Sequence, residues 1–213
     1  MALYEIKPRF RQLLIPVADR LSWLHPDGIT IAGLGASIAA FLCLLGASTQ
    51  HWLLLLVPWW LFVRIACNAL DGLVAQRTGK ARPFGEVLNE GMDRLADVVL
   101  LLGLGVTPWA SFPLATLATI VVLLSSYAGI LGKAVGVNRE YGGVLGKADR
   151  MLWMGLTALI AWKMDLASIH VGGLEFRSAF DLMLALFVPL AMVTACQRIV
   201  RIRTRLHHSG SSR

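Results

Sequence analysis

The sequence predicts an all-α integral membrane protein with six transmembrane helices, preceded by an N-terminal amphipathic helix that lies in the membrane interface. Of the 213 residues, 56% are hydrophobic and only 15% are charged, and the mean hydropathy is +0.65. An ordinary soluble domain is more polar than this. Apolar runs of membrane-spanning length recur along the chain, and the basic residues collect in alternate connections between them.

The first 25 residues are predicted to form the interfacial segment. Its apolar residues follow one another at steps of three or four, and they are Leu3, Ile6, Phe10, Leu13, Val17, Leu21 and Leu24. A helix with this pattern buries its apolar side in the membrane and turns the intervening basic side chains toward anionic headgroups. The run from His25 to Gly28 breaks the helix, so we expect the membrane domain to begin at residue 26.

Six apolar segments make up the predicted membrane domain, residues 26–203. They are Ile29–Leu45, Trp52–Ala75, Leu88–Val106, Pro113–Leu131, Met151–Leu166 and Ala179–Val200. Buried helices of a soluble protein are the alternative, but six such segments in so short a chain disfavour it. Residues 204–213 are basic and then rich in Ser and Gly, and we expect this tail to be disordered.

The net charge of +7 would by itself be compatible with nucleic-acid binding, but its distribution argues against that function. Sixteen Lys and Arg residues lie on one side of the predicted membrane domain, and the other side has only Lys163 and Arg177. Basic connections stay in the cytoplasm. We therefore expect both termini at the cytoplasmic face and no nucleic-acid partner.

The three cysteines, Cys43, Cys67 and Cys196, lie within apolar segments and have no C-x-x-C spacing. This pattern indicates packing residues rather than disulfides or zinc ligands. No long apolar run precedes Ile29, so we also expect no cleavable signal peptide.

Residues 68–97 carry an acidic motif at the ends of the second and third apolar segments. Its carboxylates are Asp71, Glu86, Glu90, Asp93 and Asp97. A carboxylate at membrane depth costs several kcal/mol unless it is paired, solvated or bound to metal. At about 100° per residue, one helix face carries Glu86, Asn89, Glu90, Asp93 and Asp97. Asn68 shares a face with Asp71 on the preceding helix. Two facing acidic helices predict a site for a divalent cation and a phosphate-bearing ligand.

The motif resembles the signature of the CDP-alcohol phosphatidyltransferases, D-x2-D-G-x2-A-R-x8-G-x3-D-x3-D. The positions that agree are Asp71, Gly72, Ala75, Gly85 and Asp93. Asn68, Gln76 and Asn89 stand where the signature has Asp, Arg and Asp. Arg77 is a candidate for the missing guanidinium, and Asp97 is an additional carboxylate one turn beyond Asp93.

Two other segments extend the resemblance over nearly the whole chain. The run from Pro26 to Thr30 is similar to the P-N-x-L-T stretch that opens the family's first span. Gly146 and Lys147 are similar to the family's phosphate-binding G-K element, although Asp149 and Arg150 replace its usual K-T.

The resemblance implies a metal-dependent transfer reaction in the bacterial inner membrane. A hydroxyl group of a small alcohol attacks a CDP-linked donor such as CDP-diacylglycerol, and CMP leaves. Mg2+ or Mn2+ is the implied cofactor, membrane lipids are the implied surroundings, and family analogy implies a homodimer. Asp93 is then the catalytic base and also a metal ligand, and the other expected ligands are Asp71, Asn68, Asn89 and Asp97. The expected nucleotide- and phosphate-binding residues are Gly72, Ala75, Gly85, Arg77, Lys147, Arg139 and Arg150.

Several alternatives stay open at this point. Asp71 and Asp93 could form salt bridges that only settle the helices, and Asp97 could pair with a basic residue such as Arg64 instead of a metal. Lys147 could simply mark the cytoplasmic side. At the level of function, a catalytically silent relative that binds or scaffolds lipid enzymes is the main alternative, and a small cation transporter is the other.

Overall fold

The computed structural model describes residues 2–164 and 168–210, with side chains from Phe10 to His207. Seven α-helices account for most of this part of the chain. They are α1 (Ala2–Arg20), α2 (Pro26–Gly46), α3 (Leu56–Arg77), α4 (Pro83–Leu104), α5 (Phe112–Ala134), α6 (Lys147–Met164) and α7 (Ala179–Gly210). A 3-10 turn, His51–Leu55, precedes α3, and a β-hairpin precedes α7.

Each predicted apolar segment is helical where the structure describes it, except that residues 105–106 form a turn after α4. Helices α2, α4 and α5 begin three, five and one residues before the predicted apolar segments, and each has a proline in its first turn, at Pro26, Pro83 and Pro113. Proline fits this position since its missing N–H has no partner there anyway. The end of the predicted fifth span, residues 165–166, lies outside the described residues.

In the part of the chain that the structure describes, four helical segments are long and apolar enough to cross a membrane: Pro26–Gly46, His51–Arg77, Phe112–Ala134 and Ala179–His207. The other two predicted spans, α4 and α6, begin with the charged residues of the acidic motif and of the G-K element, which shortens their apolar length. A largely helical fold with four candidate spans is therefore confirmed, and the count of six stays a prediction.

The all-α prediction is wrong between α6 and α7. Strands β1 (Ile169–Val171) and β2 (Leu174–Phe176) pair in antiparallel register, with His170 opposite Glu175. Gly172 and Gly173 form the turn with φ of 56° and 83°, a conformation that glycine adopts without strain. Helix α7 continues to Gly210, through most of the predicted tail; residues 211–213 lie outside the described part, and disorder of the tail stays a prediction.

Helix α2 packs against both α3 and α4 and so places the two motif helices side by side. Small residues allow the close approach. A Cβ at Gly33 of α2 would lie 3.3 Å from Cys67 Cβ on α3, and one at Gly103 of α4 would lie 2.6 Å from the ring of Phe41. Fully buried leucines such as Leu44 fill the space around these contacts.

Helix α1 lies across the motif end of α3. Ala18 is completely buried and packs with Leu70 and Val74. Because the charged ends of α3 and α4 lie beside it, α1 borders the acidic motif. Its location in a membrane interface stays a prediction.

Candidate active site

Four signature positions from α3 and α4 come together in the structure. The side-chain amide of Asn68 donates to Asn89 Oδ1 at 2.9 Å and to the two oxygens of Asp93 at 3.2 and 3.4 Å. Asp71 lies one turn from Asn68 on the same helix and lines the same cleft as Asp93. The helical spacing therefore placed both pairs correctly on facing surfaces.

Asp71 is held by neutral hydrogen-bond donors. It is 3% exposed and accepts from the Thr30 hydroxyl at 2.8 Å and from the Gly72 amide at 2.6 Å. Thr30 belongs to the segment at the start of α2 that resembles the family's P-N-x-L-T stretch, so this contact gives that stretch a physical role. Sequence reasoning noted Thr30 as the beginning of a span and missed its partner.

Asp93 is held by cationic groups. Lys147, at the start of α6, forms an ion pair with it, and Arg64 Nη2 and Arg94 Nη2 lie 3.9 and 4.0 Å from its oxygens. A cavity of about 10 Å³ separates Asp93 from Asp71, which is room for about one water molecule. The two carboxylates thus face a shared space of ionic size.

The oxygen donors around this cavity suit a hard divalent cation. Carboxylate and amide oxygens are the ligands that Mg2+ and Mn2+ prefer, and Asp71, Asp93 and Asn89 present them here. Asn68 turns its NH2 group toward its neighbours, and a half-turn of the amide would present its oxygen instead. Within the described residues, no group of three or more His, Cys, Asp or Glu side chains surrounds a metal-sized space. The amides of Asn68 and Asn89 are the neutral side-chain groups beside the two carboxylates.

Asp97 lies among guanidinium groups. It is completely buried and accepts from Arg150 Nη2 at 2.8 Å, while Arg94 Nη1 and Arg64 Nη2 lie 3.7 and 3.9 Å from its oxygens. Of the two alternatives left open for Asp97, this arrangement favours the partner of basic residues over the metal ligand.

The connection between α5 and α6 delivers basic side chains to the acids of α4. Arg139 forms an ion pair with Glu90 and stacks over the Tyr141 ring at 4.4 Å. Lys147 and Arg150 follow in the first turn of α6, where Asp149 accepts from the Gly146 amide at 2.8 Å and caps the helix. Three of the predicted phosphate-binding residues therefore gather at one place.

Arg77, the fourth basic candidate, points elsewhere. Its guanidinium lies 3.0 Å from Asp19 of α1, so the structure gives no support to it as the missing guanidinium. Arg11 of α1 instead donates to Gln76 Oε1 at 2.5 Å. Both contacts, Arg77 with Asp19 and Arg11 with Gln76, arise because α1 packs against α3. No local pattern in the sequence predicts that packing.

The small signature residues border open space or helix ends. An added Cβ at Gly72 would meet nothing within 4 Å, whereas one at Gly85 would lie 3.5 Å from Arg82 and 3.8 Å from Asp27. Ala75 is half-buried one turn beyond Gly72. Glu86 pairs with Lys133 at the surface, which leaves it outside the cavity.

The comparisons with known proteins agree with this site. The sequence model of the family described as CDP-alcohol phosphatidyltransferase matches residues 23–197. Inner membrane protein YnbA of Escherichia coli K12 is 37% identical over 164 residues, which are 75% of this chain and 80% of that protein. A phosphatidylinositol phosphate synthase of Cutibacterium acnes is 24% identical across 94% of this chain and 97% of that protein.

Solved structures share the fold. A crystal structure of Mycobacterium tuberculosis phosphatidylinositol phosphate synthase with CDP-DAG bound gives a TM-score of 0.67 at 22% identity, covering 90% of this chain and 94% of that one. A structure of the same enzyme with manganese and citrate gives the same TM-score over 89% and 88% of the two chains.

The family match spans most of the chain, including every residue of the cavity. The resemblance stated from the motif is thereby confirmed, and so is the prediction of an enzyme of this family. The family is metal dependent, in keeping with the manganese in one structural relative. This chain belongs to the CDP-alcohol phosphatidyltransferase family, membrane enzymes of phospholipid synthesis that transfer a substituted phosphate group from a CDP-linked donor.

Proposed function

We propose that this enzyme transfers a phosphatidyl group from a CDP-diacylglycerol-type donor to a small alcohol at the cavity between α3 and α4. The observation that carries the proposal is the meeting of Asn68, Asp71 and Asp93 around one small space, with Asn89 hydrogen-bonded to Asn68. The bound CDP-DAG of the Mycobacterium tuberculosis relative supports the donor class.

Asp71 and Asp93 would hold Mg2+ or Mn2+, with amide oxygens of Asn68 and Asn89 as neutral ligands. When bound, the metal supplies positive charge to the pyrophosphate oxygens and to the leaving CMP. The two asparagines supply donor atoms without charge, so the net charge of this ligand set is −2. Such a set neutralises one divalent ion, and we propose one tightly held metal per site.

Asp93 is the proposed base. Its carboxylate takes the proton of the acceptor hydroxyl, the acceptor oxygen forms a bond to the phosphorus next to the lipid alcohol, and the bond from that phosphorus to CMP breaks. Lys147 and Arg139 lie beside this position and would stabilise negative charge as it grows on the phosphate oxygens. The open space above Gly72 would let the pyrophosphate approach the backbone.

The membrane arrangement is proposed from the sequence and supported by the fold. Six spans, with α4 and α6 as the two polar ones, put both termini and the cavity at the cytoplasmic face of a bacterial inner membrane. Helix α1 would lie along that face, and the enzyme would act as a homodimer. Cysteine labelling at position 80 and at position 174, in a cysteine-free background, tests this topology: reagent from outside should reach only position 174.

Product analysis tests the reaction. Purified protein in lipid nanodiscs receives CDP-diacylglycerol, Mn2+ or Mg2+ and a panel of labelled alcohols, each with and without a phosphate group. We expect CMP release and one labelled lipid product with one acceptor class, and loss of both in Asp93→Ala. Glu86→Gln, an acid on the same helix outside the cavity, is the matched control and should stay active. The proposal would be overturned if CMP were released with none of the acceptors.

A further inference from the structure

The connection between α5 and α6, residues 135–146, contacts two other helices, α4 and α7. Arg139 near its middle and Lys147 just after its end form ion pairs with Glu90 and Asp93 of α4. Glu140, the residue after Arg139, contacts α7 instead. Neighbouring residues of this connection therefore engage opposite partners, one on the side of the cavity and one on the side of α7.

Glu140 is a buried carboxylate between two guanidinium groups. Its side chain is 7% exposed, with Arg201 Nη1 3.3 Å from Oε1 and Arg205 Nη2 2.8 Å from Oε2. Its own backbone amide donates to the Gly129 carbonyl of α5 at 3.0 Å. Oε1 also accepts from the Gly142 amide at 3.1 Å. The Glu140 side chain therefore bonds both to the turn that contains it and to α7.

The rest of the connection is fastened to α7 through its backbone. Arg198 donates to the carbonyls of Gly142 at 2.9 Å and Tyr141 at 3.3 Å, and the Leu145 amide donates to Thr194 Oγ1 at 2.9 Å. These contacts fix the path of the main chain. The Glu140 contacts differ from them because they depend on charge and lie next to Arg139 in sequence.

We propose that Glu140 is a positioning residue for the transfer reaction. Its ion pairs with Arg201 and Arg205 hold Arg139 and Lys147 at the distance from α4 where they meet the phosphate groups of a substrate. This inference rests on the proposed function, since it assigns substrate phosphate to Arg139 and Lys147. Glu140 itself faces α7 and is not among the residues that line the cavity.

A loosened connection should change substrate binding more than chemistry. Arg139 and Lys147 would still be present, but they would sample more positions and lose part of their binding free energy to ordering. Asp71 and Asp93 lie on α3 and α4 and keep their geometry. The expected signature is a higher KM for the CDP-linked donor with an almost unchanged kcat at saturation.

The experiment measures KM and kcat for the donor, together with thermal stability, in four variants of the full-length protein in nanodiscs. Glu140→Gln and the double variant Arg201→Gln with Arg205→Gln should each raise the donor KM about tenfold, the size expected for lost charge-assisted hydrogen bonds. Glu140→Asp, which keeps the charge, should recover part of the loss. In the double-variant background, Glu140→Gln should raise the donor KM by less than about twofold more, since Arg201 and Arg205 have already been replaced.

Arg203→Gln is the matched control for the Arg201→Gln with Arg205→Gln double variant, because it removes a positive charge from an exposed position of the same helix. A KM increase in this control as large as that in the double variant would mean that positive charge near the membrane, not the ion pairs, sets substrate binding. Reduced thermal stability of Glu140→Gln with an unchanged KM would show a purely structural role. Either result overturns the inference while wild-type turnover preserves the proposed function; absence of wild-type turnover overturns the proposed function itself.

Discussion

The two halves of the cavity satisfy buried carboxylates in different ways. On α3, Asp71 accepts hydrogen bonds from a hydroxyl and a backbone amide. On α4, Asp93 and Asp97 face Lys and Arg side chains. Neutral donors stabilise a carboxylate without cancelling its charge, whereas an ion pair cancels it. A cation that binds here would therefore meet Asp71 held by neutral donors, and it would compete with Lys147 for Asp93.

The largest expected loss of activity comes from removing the cavity carboxylate of either helix. Asp71→Ala and Asp93→Ala should each lower kcat/KM by at least about a hundredfold, because each removes a charged ligand of the metal that stabilises the transferred phosphate. Chelation of divalent ions should have the same effect, and Mn2+ or Mg2+ should reverse it. CMP release is the measurement. Near-normal turnover of Asp93→Asn would remove Asp93 as the base.

The next effect concerns the ion-paired half alone. Asp97→Asn leaves Arg150 and Arg64 buried without their shared anion, and breaking a buried pair costs about 3–5 kcal/mol. We expect a large drop in the thermal unfolding temperature, with the Mn2+ concentration for half-maximal activity little changed in the protein that remains folded. A strong shift of that Mn2+ concentration, with recovery on adding Asn89→Asp, would restore Asp97 as a ligand.

Replacing Lys147, which pairs with Asp93, tests the ion-paired side of the cavity at a single cation. Lys147→Gln deletes an ion pair at the cavity and should lower kcat/KM for the donor about tenfold, in line with ~1.5–3 kcal/mol for a hydrogen bond to a charged group. Lys147→Arg should keep more activity than Lys147→Gln. Equal activity of the two variants would indicate that charge at this position does not matter.

The smallest effect tests the neutral half. Thr30→Val removes the hydroxyl that orients Asp71 and should cost about 1 kcal/mol, or roughly a fivefold loss of kcat/KM. Thr30→Ser keeps the hydroxyl and is the matched control. A loss in Thr30→Ser as large as that in Thr30→Val would point to packing of the methyl group instead of the hydrogen bond.

The sequence predicted the contacts that follow from helical periodicity. Asn68 and Asp71 share a face, as do Asn89 and Asp93, so two helices side by side were enough to bring them together. It could not predict Arg77 beside Asp19, because that contact depends on where α1 docks. Asp97 stayed ambiguous for a similar reason, since its partner Arg150 comes from α6, more than fifty residues away in sequence.

Short and extended elements were predicted less well. The hairpin before α7 has only three residues in each strand, too few for an alternating pattern to stand out. Composition alone predicts disorder for the tail, and this stays a prediction; in the structure, α7 extends to Gly210. Extending an existing helix by further residues costs little free energy, because the unfavourable nucleation step has already taken place.

If α6 crosses the membrane, as the proposed six-span arrangement requires, its described length makes the enzyme depend on bilayer thickness. The 18 residues from Lys147 to Met164 extend about 27 Å at ~1.5 Å per residue, slightly less than a hydrocarbon core of about 30 Å. A crossing helix of that length would thin the bilayer around it or draw its first turn, with Lys147 and Arg150, below the headgroups. Hydrophobic mismatch of this kind costs fractions of a kcal/mol per Å. The acyl-chain length of the surrounding lipid should therefore tune the position of two basic residues of the site.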